Sequence, residues 1–181
     1  MTHSVGDFVN GRPIICGGNN HKTDADNVCF EPGIGTEIKM VEHRTQAAGV
    51  VWDNWFWVTG GWNGTHLLHT TELVNFEQGA FKGPDIPYAI KGHCVHWVNQ
   101  THIFFLDFYS GYVFFYDIPK GIFVDMMPFD PSHRLEDYSC AMMINMKQGV
   151  YQQLMVAGDK HGSKWVYTYD FDHDRITHRR K

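Results

Sequence analysis

Short apolar runs organise this chain, and many of them end at glycine, asparagine or proline. The clearest is Trp55 to Gly61, in which a run of aromatic and β-branched residues is followed by two glycines. Runs of this kind, bounded by turn residues, are typical of β-strands. The apolar spacing of an amphipathic helix is nowhere sustained, and Pro84, Pro87 and Pro128 fall where a helix would break. We therefore predict an all-β protein.

The apolar runs recur at a regular interval. Three of them end in a small-residue corner, and a fourth has the same run but carries Asp107 and Phe108 in place of the glycines. The equivalent positions are Gly18, Gly61, Phe108 and Asp159. They lie 43, 47 and 51 residues apart, and each repeat is therefore about the size of one four-stranded blade of a β-propeller.

Each repeat also contains the other strands that a blade needs. One apolar run precedes the corner, further runs follow it, and the two inner runs meet at polar turns such as Asp53–Asn54. The first repeat offers only Ser4 to Val9 as its innermost strand. We predict one propeller region over residues 1–181, built of about four antiparallel units of four strands each. The approximate units are 4–44, 45–90, 91–134 and 135–181.

Glycine has a structural role at the corners. A chain that leaves a sheet abruptly needs backbone angles that other residues resist, and a missing side chain lets neighbouring segments approach closely. The glycines predicted to form corners are Gly17, Gly18, Gly60, Gly61 and Gly158.

The repeats carry two further signatures. In the third unit Tyr116–Asp117 is followed six residues later by Phe123, and the second unit ends in Gly-Pro-Asp-Ile-Pro at 83–87. This pattern, from about Arg12 to Arg175, resembles the kelch repeat family and implies a propeller of the galactose oxidase type. Such propellers generally close with more blades than four units supply. A closed four-bladed ring and a partial ring from a longer array both remain open.

Charge and hydropathy argue against two classes of partner. The net charge is −5, and the one basic cluster is the terminal Arg179, Arg180 and Lys181, so we expect neither nucleic acid nor membrane as a partner. No apolar stretch has the length of a membrane span, and residues 1–11 are too polar for a signal peptide. The compartment stays open: cytoplasmic if the chain is complete, or extracellular if its start is missing.

Three features bear on covalent modification and metal binding. Cys16 and Cys29 lie on strands that should pair, so a disulfide and two buried thiols are both compatible with the sequence. Asn63 and Asn99 begin glycosylation sequons in turns that should be exposed. The histidines are scattered, and no HExxH or paired CxxC motif occurs. We expect no metal, no cofactor and no catalytic residue.

The kelch resemblance implies a non-catalytic module that binds another protein. The alternatives are a propeller enzyme of the oxidase or isomerase type, and an inert fragment of a longer repeat array. Terminal blades without neighbours should leave apolar faces uncovered and cause self-association. The side chains expected there are Ile14, Phe30, Met155 and Tyr167. Between blades we expect Phe56 and Val58 to be buried, whereas Trp52 and Trp62, beside turns, should be the more exposed aromatic residues.

Overall fold

The computed structural model describes residues 2–19, 24–107 and 110–126 in full, together with the backbone of four strands between residues 140 and 180. In this part of the chain all the regular elements are β-strands, and they form four sheets of four antiparallel strands. The prediction of an all-β chain with four blade-like units is confirmed. Each sheet is called a blade below and is numbered in chain order.

The strands of each blade follow one another in sequence order across the sheet. Blade 1 contains β1 (Val5–Val9), β2 (Arg12–Cys16), β3 (Asp26–Phe30) and β4 (Glu37–Arg44). Blade 2 contains β5 (Ala48–Trp52), β6 (Trp55–Thr59), β7 (Thr71–Asn75) and β8 (Gly79–Lys82). Blade 3 contains β9 (Cys94–Asn99), β10 (His102–Leu106), β11 (Val113–Asp117) and β12 (Ile122–Asp125). Blade 4 contains β13 (Cys140–Lys147), β14 (Val150–Lys160), β15 (Ser163–Asp170) and β16 (Arg175–Arg180).

The chain divides into two compact units. The first unit, Met1–His93, contains blades 1 and 2, and the second unit, Cys94–Lys181, contains blades 3 and 4. In the first unit β1 packs on β5 and β4 packs on β8, so the two sheets lie against each other. Their shared core is made of alternate side chains from both blades, because successive residues of a strand point to opposite faces. It consists of Val9, Ile14, Cys16, Cys29, Ile38, Met40, Phe56, Val58 and Val74.

This core confirms one expectation and corrects another. Phe56 and Val58 are buried between the blades, as predicted. Ile14, expected on an uncovered face, is instead buried in the same core. Ile14 and Cys16 share one face of β2, and that face is turned toward blade 2, whereas Ile15 lies on the other face. The side chains of Met155 and Tyr167 lie outside the described residues.

Backbone hydrogen bonds show that the 43-residue step is a structural repeat. The amide of Gly18 donates to the Arg44 carbonyl at 2.7 Å, and 43 residues later the amide of Gly61 donates to the Ile90 carbonyl at 2.8 Å. Gly17, Gly18, Gly60 and Gly61 have φ values of 61°, 99°, 56° and 102°. These left-handed angles strain residues that have a Cβ atom. A Cβ on either Gly17 or Gly60 would also collide with those same carbonyl oxygens.

A second backbone ladder runs through the segments that lead into successive blades. The Gln46 amide donates to the His3 carbonyl at 3.0 Å, and the Gly92 amide donates to the Gln46 carbonyl at 2.7 Å. All three residues have left-handed φ angles, of 58°, 54° and 63°. His3 and Gln46 therefore adopt a conformation that favours glycine, which is the residue present in the third repeat.

The second unit builds its core and its corner differently. Blade 3 buries an aromatic cluster, in which Phe105 and Phe114 stack with ring centroids 4.8 Å apart and Phe123 packs against both edge to face. The corner of blade 3 has Asp107 and Phe108 in place of the two glycines. The side chain of Asp107 accepts a hydrogen bond from the Ser110 amide at 3.2 Å. In blade 4, β14 runs through Gly158 as far as Lys160, so the corner predicted at Gly158 is not formed there. A single glycine fits an extended strand, and Asp159 follows it instead of a second glycine.

Candidate functional site

The loop between β6 and β7, residues 60–70, connects two neighbouring strands of blade 2, and it is held in one shape by local hydrogen bonds. The Asn63 side-chain oxygen accepts hydrogen bonds from the amides of Thr65 and His66, each at 2.9 Å. The Leu68 amide donates a hydrogen bond to the Gly61 carbonyl at 2.9 Å. Such an asparagine-centred turn fixes the tip of a loop without help from a partner. The loop 60–70 is therefore preformed.

A neighbouring segment, residues 83–93, supports the loop 60–70 from one side. The Ile86 amide donates to the His69 carbonyl at 2.9 Å, and the Ile90 amide donates to the Leu68 carbonyl at 3.2 Å. Ile86 and Ile90 are both buried beneath the loop. We call the loop 60–70 and this supporting segment the corner surface, because both lie at the glycine-corner end of blade 2.

One buried arginine from blade 1 fastens both ends of the loop 60–70. Arg44 Nη1 donates to the Gly60 carbonyl at 2.9 Å and to the Thr70 carbonyl at 2.8 Å. Its Nη2 also reaches the Thr70 hydroxyl at 3.1 Å. Burial lowers the pKa of Arg44 from its usual value, because the charged guanidinium has lost its water, while Glu72 opposes that shift. Arg44 is therefore a positioning residue for the loop.

Glu72 on β7 completes this arrangement. Its Oε1 atom lies 3.1 Å from Arg44 Nη2, and its carboxylate also accepts the amides of Val41 at 2.7 Å and Glu42 at 3.1 Å. Those two amides are available because the pairing of β3 with β4 is interrupted between Asp26 and Val28. A buried carboxylate with this many donors joins the two blades directly beneath the corner surface.

His93 is buried at the base of the corner surface. Its Nε2 atom lies 2.8 Å from the hydroxyl of Thr59, the last residue of β6 before Gly60. Burial lowers the pKa of His93 to about 3, because the imidazolium would have to lose its hydration. The ring is therefore neutral at physiological pH, and it packs close to the Gly60 backbone, where a Cβ would lie 2.9 Å from its Cε1 atom.

The outer side of the loop 60–70 presents a mixed set of side chains. Thr65, His66, Leu67 and His69 are exposed, and Trp62 is half-buried. Trp52 is likewise half-buried, whereas Phe56 and Trp57 are fully buried, so the expected difference in exposure among these aromatic residues is observed. A fixed loop that displays apolar, hydroxyl and imidazole groups can make both apolar contacts and hydrogen bonds.

The structure joins the sulfurs of Cys16 and Cys29, 2.06 Å apart, across the facing residues of β2 and β3. This disulfide is buried in the core between blades 1 and 2, away from the corner surface.

The two asparagines of the glycosylation sequons lie in different places. Asn63 lies within the loop 60–70. Asn99 lies at the turn from β9 to β10, where its side-chain oxygen accepts a hydrogen bond from the Thr101 amide at 2.8 Å. Glycosylation of either asparagine stays a prediction.

Among the residues that the structure describes, no group of three or more histidine, cysteine, aspartate or glutamate side chains could hold a metal ion. The same residues contain no helix long and apolar enough to cross a membrane.

Blade 3 has an open groove of about 210 Å³, lined by Val98, Asn99, His102, Phe104, Phe115 and Met126. The groove is mostly apolar, and His102 at its rim lies 3.7 Å from Asp117.

Sequence reasoning missed the residues that fasten the corner surface. Nothing in the sequence distinguishes Arg44 from the other residues of its predicted strand, and His93 is one of twelve scattered histidines. Glu72 could have been singled out from the sequence, because it is the one carboxylate in the run of residues that forms β7. A carboxylate that is buried in a strand needs hydrogen-bond donors around it. The partner could not be named in advance, because it belongs to the preceding repeat.

Four-stranded antiparallel sheets that follow one another as structural repeats define the chain as an all-β protein of the propeller type. Comparison with solved structures agrees: the structure of YjhT superposes with a TM-score of 0.70 at 12% sequence identity. The superposition covers 98% of this chain and 64% of the YjhT chain. This likeness supports the fold, which is consistent with part of a β-propeller.

Similarity in sequence is more limited. The spermatocyte protein spe-26 of Caenorhabditis elegans is 30% identical over 96 residues. The match covers 47% of this chain and 17% of spe-26, so the chain spans only a small part of that relative. No family model matches the chain.

Proposed function

We propose that this chain is a non-catalytic protein-interaction module built of kelch repeats, and that it recognises another protein through the corner surface. The observation that carries the proposal is the fixed loop 60–70, whose two ends are held by Arg44. Binding a preformed loop avoids the entropic cost of ordering it, which favours recognition.

The assignment to kelch repeats is supported by the contacts of the segment 83–87. Ile86 is buried beneath the loop 60–70, and the Thr71 hydroxyl donates to the Pro84 carbonyl at 2.9 Å. Gly83 lies where a Cβ would be 3.0 Å from Trp57 Nε1, so the segment needs a glycine to pack there. These contacts give the Gly-Pro-x-Ile-Pro sequence a structural role, as expected if it is the repeat signature.

A recognition role also fits the chemistry displayed. The exposed side chains of the loop 60–70 include Leu67, which offers apolar area, and His66, which offers a hydrogen-bonding ring. No carboxylate belongs to this loop, so within it neither His66 nor His69 has the acidic neighbour that commonly orients a catalytic imidazole. We therefore place function in the surface of the loop and not in a reaction centre.

Site-specific photo-crosslinking tests the proposal. A photoreactive amino acid is placed at Thr65 in the loop 60–70 or at Gln78 in the β7–β8 turn, at the opposite end of blade 2. Each protein is irradiated in extract from the source organism, and the adducts are identified by mass spectrometry. We expect a discrete adduct from position 65 only, and we expect the additional Leu67→Asp substitution to abolish it.

Two outcomes would contradict a corner-surface interaction. Identical adducts from positions 65 and 78 would mean that the corner surface is not preferred. An adduct that persists at full yield in the Leu67→Asp variant would mean that the loop's exposed apolar side chain takes no part. Because Leu67 is exposed, near-ultraviolet circular dichroism should show that this variant keeps its native packing.

A further inference from the structure

The outer edge of blade 1 is formed by β4, which is the longest of the four outer strands. It has eight residues, whereas β8 and β12 have four each and β16 has six. Within the sheet of blade 1, β4 pairs with β3 on one side only. A strand at the edge of a sheet directs alternate backbone amides and carbonyls away from its neighbour, and these groups can pair with a further strand.

The hydrogen bonds of β3 show which backbone groups of β4 point outward. The Gly17 amide donates to the Val28 carbonyl at 3.0 Å, so the backbone of Val28 is directed at β2. The next residue, Cys29, is therefore directed at β4, where it faces Ile38. The residues on either side of Ile38 must then direct their amides and carbonyls away from β3. These residues are Glu37 and Lys39.

A second hydrogen bond gives the same alternation. The Glu31 amide donates to the Thr36 carbonyl at 3.0 Å, so Thr36 is directed at β3, as is Ile38 two residues later. Glu37, which lies between them, is therefore directed outward. Outside the sheet ladder, no hydrogen bond in the described part of the chain reaches the backbone of Glu37 or Lys39.

The side chains of Glu37 and Lys39 have opposite charges, and both are exposed on the same side of β4. When two copies of an edge strand pair about a twofold axis, residues at equal distances from the axis face each other. An axis beside Ile38 places Glu37 of each chain opposite Lys39 of the other. The outward backbone groups of these residues then form the hydrogen-bonded pairs of an antiparallel ladder. One register therefore satisfies the backbone groups and the charges together.

We propose that the edge of blade 1 at Glu37 and Lys39 is a self-association site, at which β4 pairs with β4 of a second copy about a twofold axis beside Ile38. Charged residues on an edge strand usually discourage pairing, but in this register they attract each other. A strand of another protein would match only if it carried the same two charges in the same order. The site lies at the β3–β4 turn end of blade 1, away from the glycine corners, so it does not depend on the corner surface.

Sedimentation velocity over a range of protein concentrations tests the proposal. The wild-type chain should show a monomer–dimer equilibrium. Glu37→Lys and Lys39→Glu should each weaken the dimer by roughly tenfold or more, since like charges then lie directly opposite each other. The matched control is Glu77→Lys, which makes the same change of charge in the exposed β7–β8 turn and should leave the equilibrium unchanged.

Mixing the two variants gives a readout that a folding defect would not mimic. The Glu37→Lys chain has two lysines at this edge and the Lys39→Glu chain has two glutamates, so an equimolar mixture should form a heterodimer with about the wild-type affinity. The double variant Glu37→Lys, Lys39→Glu should also dimerise like the wild type. A concentration-independent wild-type monomer would overturn the proposal. So would a dimer that neither substitution weakens, or a mixture that forms no heterodimer.

Discussion

Acid should destabilise this protein through one buried imidazole. His93 has a pKa of about 3 in the folded state because it is buried, whereas an unfolded chain restores a value of about 6.5. Between these two values the unfolded state binds a proton that the folded state does not. Stability is therefore fully present above pH 6.5 and falls as the pH drops toward 3.

The size of the effect follows from the two pKa values. Each pH unit within this window should reduce the free energy of unfolding by about 1.4 kcal/mol, so lowering the pH from 7.5 to 5 should remove about 2 kcal/mol through His93 alone. The carboxylates titrate in the same range. Their contribution cancels when the wild-type chain is compared with a His93→Gln variant, which keeps a side-chain amide near the Thr59 hydroxyl.

Urea unfolding at pH 7.5, 6.5, 5.5 and 5 measures both proteins. The wild-type free energy of unfolding should fall more steeply than that of His93→Gln, with a difference of about 2 kcal/mol accumulated by pH 5. His69→Gln serves as the control, since His69 is exposed, and it should retain the wild-type pH dependence. Parallel curves for the wild-type chain and His93→Gln would show that His93 is not held neutral by burial.

Three further substitutions test other parts of the fold by chemical unfolding. Glu72→Gln should cost about 3–5 kcal/mol, because it leaves the buried Arg44 charge uncompensated; a loss below about 1 kcal/mol would mean that the ion pair is not structural. Val58→Asp should unfold the chain, since a carboxylate would lie unpaired in the core between blades, whereas Val41→Asp on the exposed face should be tolerated. Gln46→Gly should raise the free energy of unfolding by about 0.5–1 kcal/mol, because the φ of 54° at this position strains a residue with a Cβ atom. Gln46→Ala keeps the Cβ atom and should give no gain, so equal stability of the two variants would show that the backbone at Gln46 is not strained.

The blade pattern could be predicted because it is local. Strand length, turn residues and the 43-residue step between Gly18 and Gly61 are all written into consecutive residues. Even so, the side of blade 1 that is covered could not be read from alternation alone. Alternation separates Ile14 from Ile15, but only the neighbouring sheet decides which of the two is inside, and the expectation for Ile14 was wrong for that reason.

The corner surface was less accessible to sequence reasoning. The glycine corners and Trp62 were recognised, but the role of Arg44 depends on where blade 1 places its last strand against blade 2. His93 appeared as one of many scattered histidines, because its neighbours Thr59 and Gly60 lie more than thirty residues earlier in the chain. Contacts between repeats join residues that no single repeat shows together, and the ion pair from Arg44 to Glu72 is such a contact.

Hydrogen–deuterium exchange of the loop 60–70 tests most directly the claim that this loop is a preformed surface fastened by Arg44. In the wild-type chain, peptides that cover the loop should exchange slowly, because the Gly60, Gly61 and Leu68 amides are hydrogen-bonded. Arg44→Lys should speed exchange in the loop, since a single ammonium lacks the guanidinium's planar fork, while the β7–β8 turn should be unaffected. A loop that exchanges rapidly in the wild-type chain, or that is unchanged by Arg44→Lys, would contradict the account.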